Sequence, residues 1–61
     1  MHEYMISKDH RGYAVWVSCL YYKEYNSISS YFRDLEQAEQ WLYDRILKLN
    51  IDLYYIDYEV I

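Results

Sequence analysis

Apolar and polar positions change rhythm along the chain, and each change predicts an element. Residues 3–8 (EYMISK) alternate as a short first strand. Asp9-His10-Arg11-Gly12 breaks the alternation with a turn, in which Gly12 supplies the positive φ that a tight hairpin needs. Residues 13–22 (YAVWVSCLYY) are β-branched and aromatic, the strongest strand signal in the sequence. Val15, Val17 and Cys19 form one face of that strand; Ala14, Trp16, Leu20 and Tyr22 form the other. A strand apolar on both sides is central, or is covered by a partner on its second face. Lys23-Glu24-Tyr25-Asn26-Ser27 then reads as a second turn, with Asn26 able to take the left-handed conformation, and Ile28, Ser30 and Phe32 alternate as a short third strand.

From residue 34 the period lengthens to that of a helix. Asp34 offers an N-cap carboxylate and Gln37, three residues on, its capping-box partner. Leu35, Ala38, Leu42, Ile46 and Leu49 recur at the spacing of one buried stripe, which predicts a helix over 35–49 with Asn50 as its C-cap. Glu36 and Glu39 lie in the first turns and Lys48 in the last, where the helix dipole favours each sign of charge. Residues 53–60 (LYYIDYEV) alternate again. Tyr54, Ile56, Tyr58 and Val60 share one face; Tyr55, Asp57 and Glu59 share a wetter, acidic one.

The predicted order is β-β-β-α-β, an α+β fold: one domain over residues 1–61 with an antiparallel sheet of three to four strands and one helix packed on one face. The second face of the sheet, around Trp16, Leu20, Tyr22 and Tyr55, has no element left to cover it. Such a patch marks an association surface.

Composition narrows the picture. The 61 residues contain no proline, one glycine and one cysteine, and 54% of them are hydrophobic, which excludes a disordered chain. A single cysteine cannot form an internal disulfide, which fits a reducing cytoplasm. The opening MHEYMISKDH lacks the basic and apolar regions of a signal peptide, and no apolar run approaches the roughly 18 residues of a membrane span. A soluble, intracellular protein comprising the whole reading frame is therefore expected.

The formal net charge of −4 is unevenly spread: residues 1–33 sum to +1 and residues 34–61 to −5. An acidic surface repels phosphate and attracts basic surfaces, so direct binding of nucleic acid is disfavoured. Glu36, Gln40, Tyr43, Asp44 and Leu47 point away from the helix's core stripe, with Glu39 on the flank. Asp52, Asp57 and Glu59 extend this into a broad negative surface dotted with tyrosines. One reading is a solvated face that keeps a small protein soluble; the other is a surface that imitates the phosphate row of a nucleic acid. Leu47, an i, i+4 partner of Tyr43, favours an interface. The ten tyrosines exceed what so small a core can hold. Tyr13, Tyr54 and Tyr58 are expected as filler, and the Tyr21-Tyr22-Tyr25 and Tyr54-Tyr55 groups as interface.

No reaction is legible. Cys19 falls at an expected core position, His10 in a turn and His2 beside the terminus, and nothing places an orienting group or an oxyanion site for a cysteine nucleophile. Asp57 and Glu59 are solvated edge charges before they are ligands for a hard cation, and His2, His10 and Cys19 lack zinc-site spacing. No enzyme, metal or cofactor is expected.

Two resemblances bear on function. Lys8-Asp9-His10-Arg11-Gly12-Tyr13-Ala14-Val15, followed by Phe32-Arg33-Asp34-Leu35-Glu36-Gln37-Ala38, resembles the HicB family of antitoxins over about half the chain. That family has a charged turn before a Gly-Tyr-x-Val strand and then an acidic capped helix. In size, charge and compactness the chain is similar to small phage-encoded inhibitors of the anti-CRISPR type, whose acidic members imitate target DNA. That second resemblance implies a non-enzymatic inhibitor, monomeric or homodimeric, in the host cytoplasm. Its partner would be a basic nucleic-acid-binding protein such as the large subunit of a type I CRISPR surveillance complex. The expected contact residues are Glu36, Glu39, Tyr43, Asp44, Leu47, Asp52, Asp57 and Glu59. The alternative is a HicB-like antitoxin or a dimeric structural module.

Overall fold

A computed structural model describes residues 2–19 and 24–59. Strands β1 (His2–Asp9), β2 (Gly12–Cys19), β3 (Glu24–Ser27) and β4 (Tyr54–Glu59) and helix α1 (Leu35–Lys48) follow in the order β-β-β-α-β. The α+β class, the order of elements and the single helix on one face are those the pattern predicts. The sheet runs β3-β2-β1-β4. β1 pairs antiparallel with β2 and β2 with β3, but β4 lies parallel to β1, so the sheet is mixed rather than wholly antiparallel. Topology is the cause: β3 already runs in the direction of β1, and a helical crossover returns the chain to the end where it began.

The first hairpin is built by Asp9 and Gly12. The backbone N–H of Arg11 donates to Asp9 Oδ1 at 2.7 Å and its guanidinium to Oδ2 at 2.9 Å, which holds the Asp9 carboxyl below its ordinary pKa. Gly12 then adopts φ 123°, a conformation L side chains rarely take. It also admits a neighbour: a Cβ at Gly12 would stand 2.4 Å from the carbonyl oxygen of Phe32. That approach exists because Tyr13 and Phe32 exchange backbone hydrogen bonds of 2.8 and 2.7 Å.

The third strand differs from expectation. Residues 24–27, read as a turn, are β3, with Asn26 opposite Val17 and Tyr25 opposite Ser18. Residues 28–31, read as strand, leave the ladder. Ile28 still donates to Val15 O at 2.9 Å, but the Val15 N–H is taken by Ser29 Oγ, also at 2.9 Å. A serine hydroxyl thus replaces a strand carbonyl, the competition that makes serine a poor strand former. The chain rejoins β2 only at Phe32. Leu20, Tyr21, Tyr22, Lys23 and Val60 lie outside the described residues, as does the side chain of Cys19.

Helix α1 begins as predicted. Asp34 and Gln37 form the capping box, with the Asp34 N–H donating to Gln37 Oε1 at 3.2 Å. Its end is a Schellman motif: Asn50 turns left-handed at φ 54°, its N–H bonds Leu47 O at 3.2 Å, and Ile51 N–H bonds Ile46 O at 3.0 Å. The reversal brings Ile51 onto the core beside Ile46 and leaves Leu49, expected in the buried stripe, exposed.

Tyr4 and Ile6 of β1, Val15 of β2 and Ala38, Leu42 and Ile46 of α1 form the buried core. Each large apolar side chain buried there contributes roughly 1.5–3 kcal/mol. Tyr13, Val17, Phe32, Trp41 and Ile56 pack around it. The molecule measures 29 × 25 × 16 Å, and the short axis accommodates a sheet and one helix without a third layer.

Gly12→Ala is expected to lose about 3 kcal/mol or more, since positive-φ strain of about 1–3 kcal/mol adds to the collision with Phe32. Urea denaturation measures it. A loss below about 0.5 kcal/mol, the level of an ordinary surface change, would contradict the hairpin geometry.

Candidate functional site

Register decides which side chains share a surface. In β1, Tyr4 and Ile6 face the helix and core, so Glu3, Met5 and Ser7 face the other way. Pairing extends this across the sheet. Ser18 of β2 stands beside Tyr25 of β3, and Glu3 beside Tyr55 of β4. In the next row Ser27, Trp16, Met5 and Asp57 follow one another across all the strands. Beyond it Ala14, Ser7 and Glu59 complete the face. Two of the residues expected to lie on the uncovered side, Trp16 and Tyr55, do so.

This face is both aromatic and acidic. Trp16 is held across β1 by a hydrogen bond from its indole N–H to Ser7 Oγ at 2.8 Å. Tyr55 is 58% exposed and Tyr25 lies at the opposite edge. The Tyr25 phenol is held above its ordinary pKa, first by loss of surrounding water and then by Glu3, Asp57, Tyr55 and Glu59. No lysine, arginine or histidine occupies a described strand position of this parity; Arg11, in the first hairpin, pairs with Asp9 at the end of the face.

The acidic set read from the sequence does not form one surface. Asp57 and Glu59 lie on the open sheet face. Glu36 and Asp44 lie on the outer side of α1, where Gln40 Nε2 donates to Asp44 Oδ1 at 3.0 Å. There the charge is mixed: Asp44 shares a shallow groove with Trp41, Arg45 and Lys48, and the Arg45 guanidinium sits 5.5 Å from the centre of the Trp41 ring. Tyr43, Leu47 and Asp52 line a different groove, between the end of α1 and the start of β4.

Glu39 has another task. Its Oε2 accepts a hydrogen bond of 2.8 Å from the Tyr58 hydroxyl, which ties α1 to β4. Tyr58 and Tyr54, expected as filler, lie on the helix side of the sheet but remain over two-fifths exposed, because β4 is an edge strand beyond the helix's cover. The edge itself is blunted: Asp57 Oδ1 accepts the backbone N–H of Tyr58 at 2.9 Å.

Glu3 and Met5 are the residues of this face that the sequence reading passes over. The signal for Glu3 and Met5 was present, since a two-residue period that buries Tyr4 and Ile6 turns them outward. Tyr25, grouped with Tyr21 and Tyr22 in the sequence, reaches this face through the pairing of β3 with β2, which a turn over 23–27 would not provide. Among the described residues no group of three or more His, Cys, Asp or Glu side chains gathers as a metal site, and no helix is long and apolar enough to cross a membrane.

The Glu39 carboxylate, with partial burial second, raises the pKa of the Tyr58 phenol above the tyrosine range. A raised pKa in the folded state stabilises the fold fully below the ordinary tyrosine value near pH 10, and that stabilisation is lost as pH rises through the folded value. Tyr58→Phe is expected to cost up to about 1 kcal/mol at pH 7, the modest value of a solvent-screened contact. In tyrosine-labelled 13C NMR the Tyr58 midpoint is expected to fall in Glu39→Gln. An unchanged midpoint would remove Glu39 as the cause.

Compared with known proteins, the chain matches no family profile, no curated protein and no solved structure.

Proposed function

We propose that this protein is a non-enzymatic acidic binding protein that docks on a basic, nucleic-acid-handling partner and excludes the nucleic acid by competition. The observation that carries this reading is the segregation of charge on the open sheet face. Glu3, Asp57 and Glu59 share it with Trp16, Tyr25 and Tyr55, and no lysine, arginine or histidine stands among the described strand positions of that parity. Carboxylates arrayed on a rigid sheet steer a basic surface into contact and select against acidic ones. Aromatic side chains supply contact area at low entropic cost. The outer face of α1 supports the reading less, because Arg45 and Lys48 interrupt its acids.

The partner chemistry is therefore a groove rich in lysine and arginine that otherwise holds a phosphate backbone. The large subunit of a type I CRISPR surveillance complex is the specific target proposed, which puts the protein in the host cytoplasm. Of the contact residues expected from sequence, Asp57 and Glu59 stay in the proposed site, while Glu36 and Asp44 become peripheral. Glu39 serves the α1–β4 contact.

The test is competition. A type I surveillance complex is mixed with labelled target duplex and this protein at about 0.05 M and about 0.5 M salt, where screening lengths differ several-fold. Displacement of duplex at low salt that weakens at high salt is expected. The triple variant Glu3→Gln, Asp57→Asn, Glu59→Gln should compete at least about tenfold less well, while Glu36→Gln with Asp44→Asn competes like the parent. Duplex binding untouched at either salt would sink the proposed target. Loss of competition in the helix variant alone would move the site to α1. Salt-resistant capture of a small basic toxin would favour the antitoxin-like alternative.

A further inference from the structure

The chain already holds one guanidinium between an acid and an aromatic ring. Arg11 donates to Asp9 Oδ2 at 2.9 Å, and its guanidinium carbon stands 4.4 Å from the centre of the Tyr31 ring. Asp9 shares the parity of the open sheet face and ends it at the first hairpin. Toward the other end of the face the same two kinds of group recur without a described cation. Glu3 stands beside Tyr55 across the β1–β4 pairing, and Tyr25 enters from β3 opposite Ser18, one step beyond the Tyr4–Val17 pair. Tyr55 is exposed and Glu3 half-buried, while Asp9–Arg11 is the one ion pair among the described residues.

We propose that this end of the face selects arginine over lysine, taking a guanidinium of the partner onto the Tyr55 ring with its N–H groups on the Glu3 carboxylate. The proposal rests on the basic-partner reading and names the side chain which that reading leaves open. A carboxylate alone attracts either cation. A ring beside it does not treat them alike. Guanidinium is planar, weakly hydrated and able to stack, and it offers two parallel N–H groups to one carboxylate, whereas an ammonium is a hydrated point charge. Glu3, not Asp57, is the two-oxygen acceptor, because Asp57 Oδ1 already takes the Tyr58 N–H. Between Tyr25 and Glu3 the row holds only the short side chain of Ser18, which leaves room above the sheet.

An arginine preference also fits the class of partner. Arginine is the side chain that forks onto phosphate, so a groove that holds a nucleic-acid backbone presents the same paired donors to Glu3. Charge alone predicts otherwise, since peptides of equal charge would then bind equally.

Two peptides of equal length and charge, one with arginine and one with lysine at every basic position, are titrated into the whole chain by isothermal calorimetry at about 0.05 M salt. The arginine peptide is expected to bind at least about fivefold more tightly. Tyr55→Leu should bring that ratio below about twofold. Lysine-peptide affinity and the circular dichroism of the fold should stay unchanged in that variant, because Tyr55 is exposed on an edge strand. Glu3→Gln should weaken both peptides, the arginine peptide more. Tyr43→Leu, on α1, should keep the full ratio. Equal binding of the two peptides to the parent would overturn the arginine inference and leave the basic-partner reading standing. A ratio that survives Tyr55→Leu would do the same. Binding of neither peptide would overturn both.

Discussion

One helix can cover only one face of a four-stranded sheet, and the rest of this molecule follows from that limit. The chain spends its regular apolar stripe, Ala38, Leu42 and Ile46, against Tyr4, Ile6 and Val15. Nothing else among the described residues packs across the sheet, so the side chains of the opposite parity form a surface instead of a second core. Strand pairing fixes both sets at once, because a slip of one residue would exchange them. The register that buries Tyr4 and Ile6 also sets Glu3 beside Tyr55 and Met5 beside Asp57.

The devices that hold the register are local and few. Asp9 and Arg11 shape the first hairpin, and the bare Cα of Gly12 lets Phe32 approach closely enough to bond Tyr13. Phe32 in turn delivers the chain to Asp34, where the helix is capped. At the far end, Asn50 reverses the backbone so that Ile51 seals the core and β4 can enter beside β1. The Glu39–Tyr58 contact then joins helix to last strand. The open face depends on these contacts although none of them lies within it.

Much of this was legible in the residues. The helix, its cap at Asp34 and the glycine turn have local causes, and local causes leave sequence signals. The parallel pairing of β4 has no such signal, since it depends on where a crossover ends. The exchange of 24–27 for 28–32 as the third strand turned on Ser29, whose hydroxyl competes for a backbone N–H that periodicity does not track. Leu49 was misplaced because a helical wheel assumes a helix that continues, whereas Asn50 ends it. The candidate site was legible only in pieces. Asp57 and Glu59 are legible in the sequence, but their register neighbours, Met5 and Ser7, and the nearby Glu3 are remote in sequence and meet them only through the parallel pairing of β1 with β4.

The central claim is that the open sheet face, and not the outer face of α1, receives a basic partner. The most direct measurement is a 1H–15N NMR titration with an arginine-rich peptide as a minimal basic partner, read residue by residue at low salt. The account predicts perturbations concentrated at Glu3, Met5, Trp16, Tyr25, Tyr55, Asp57 and Glu59 that vanish as salt is raised. Perturbations centred on Glu36, Gln40 and Asp44, with the sheet face silent, would contradict it.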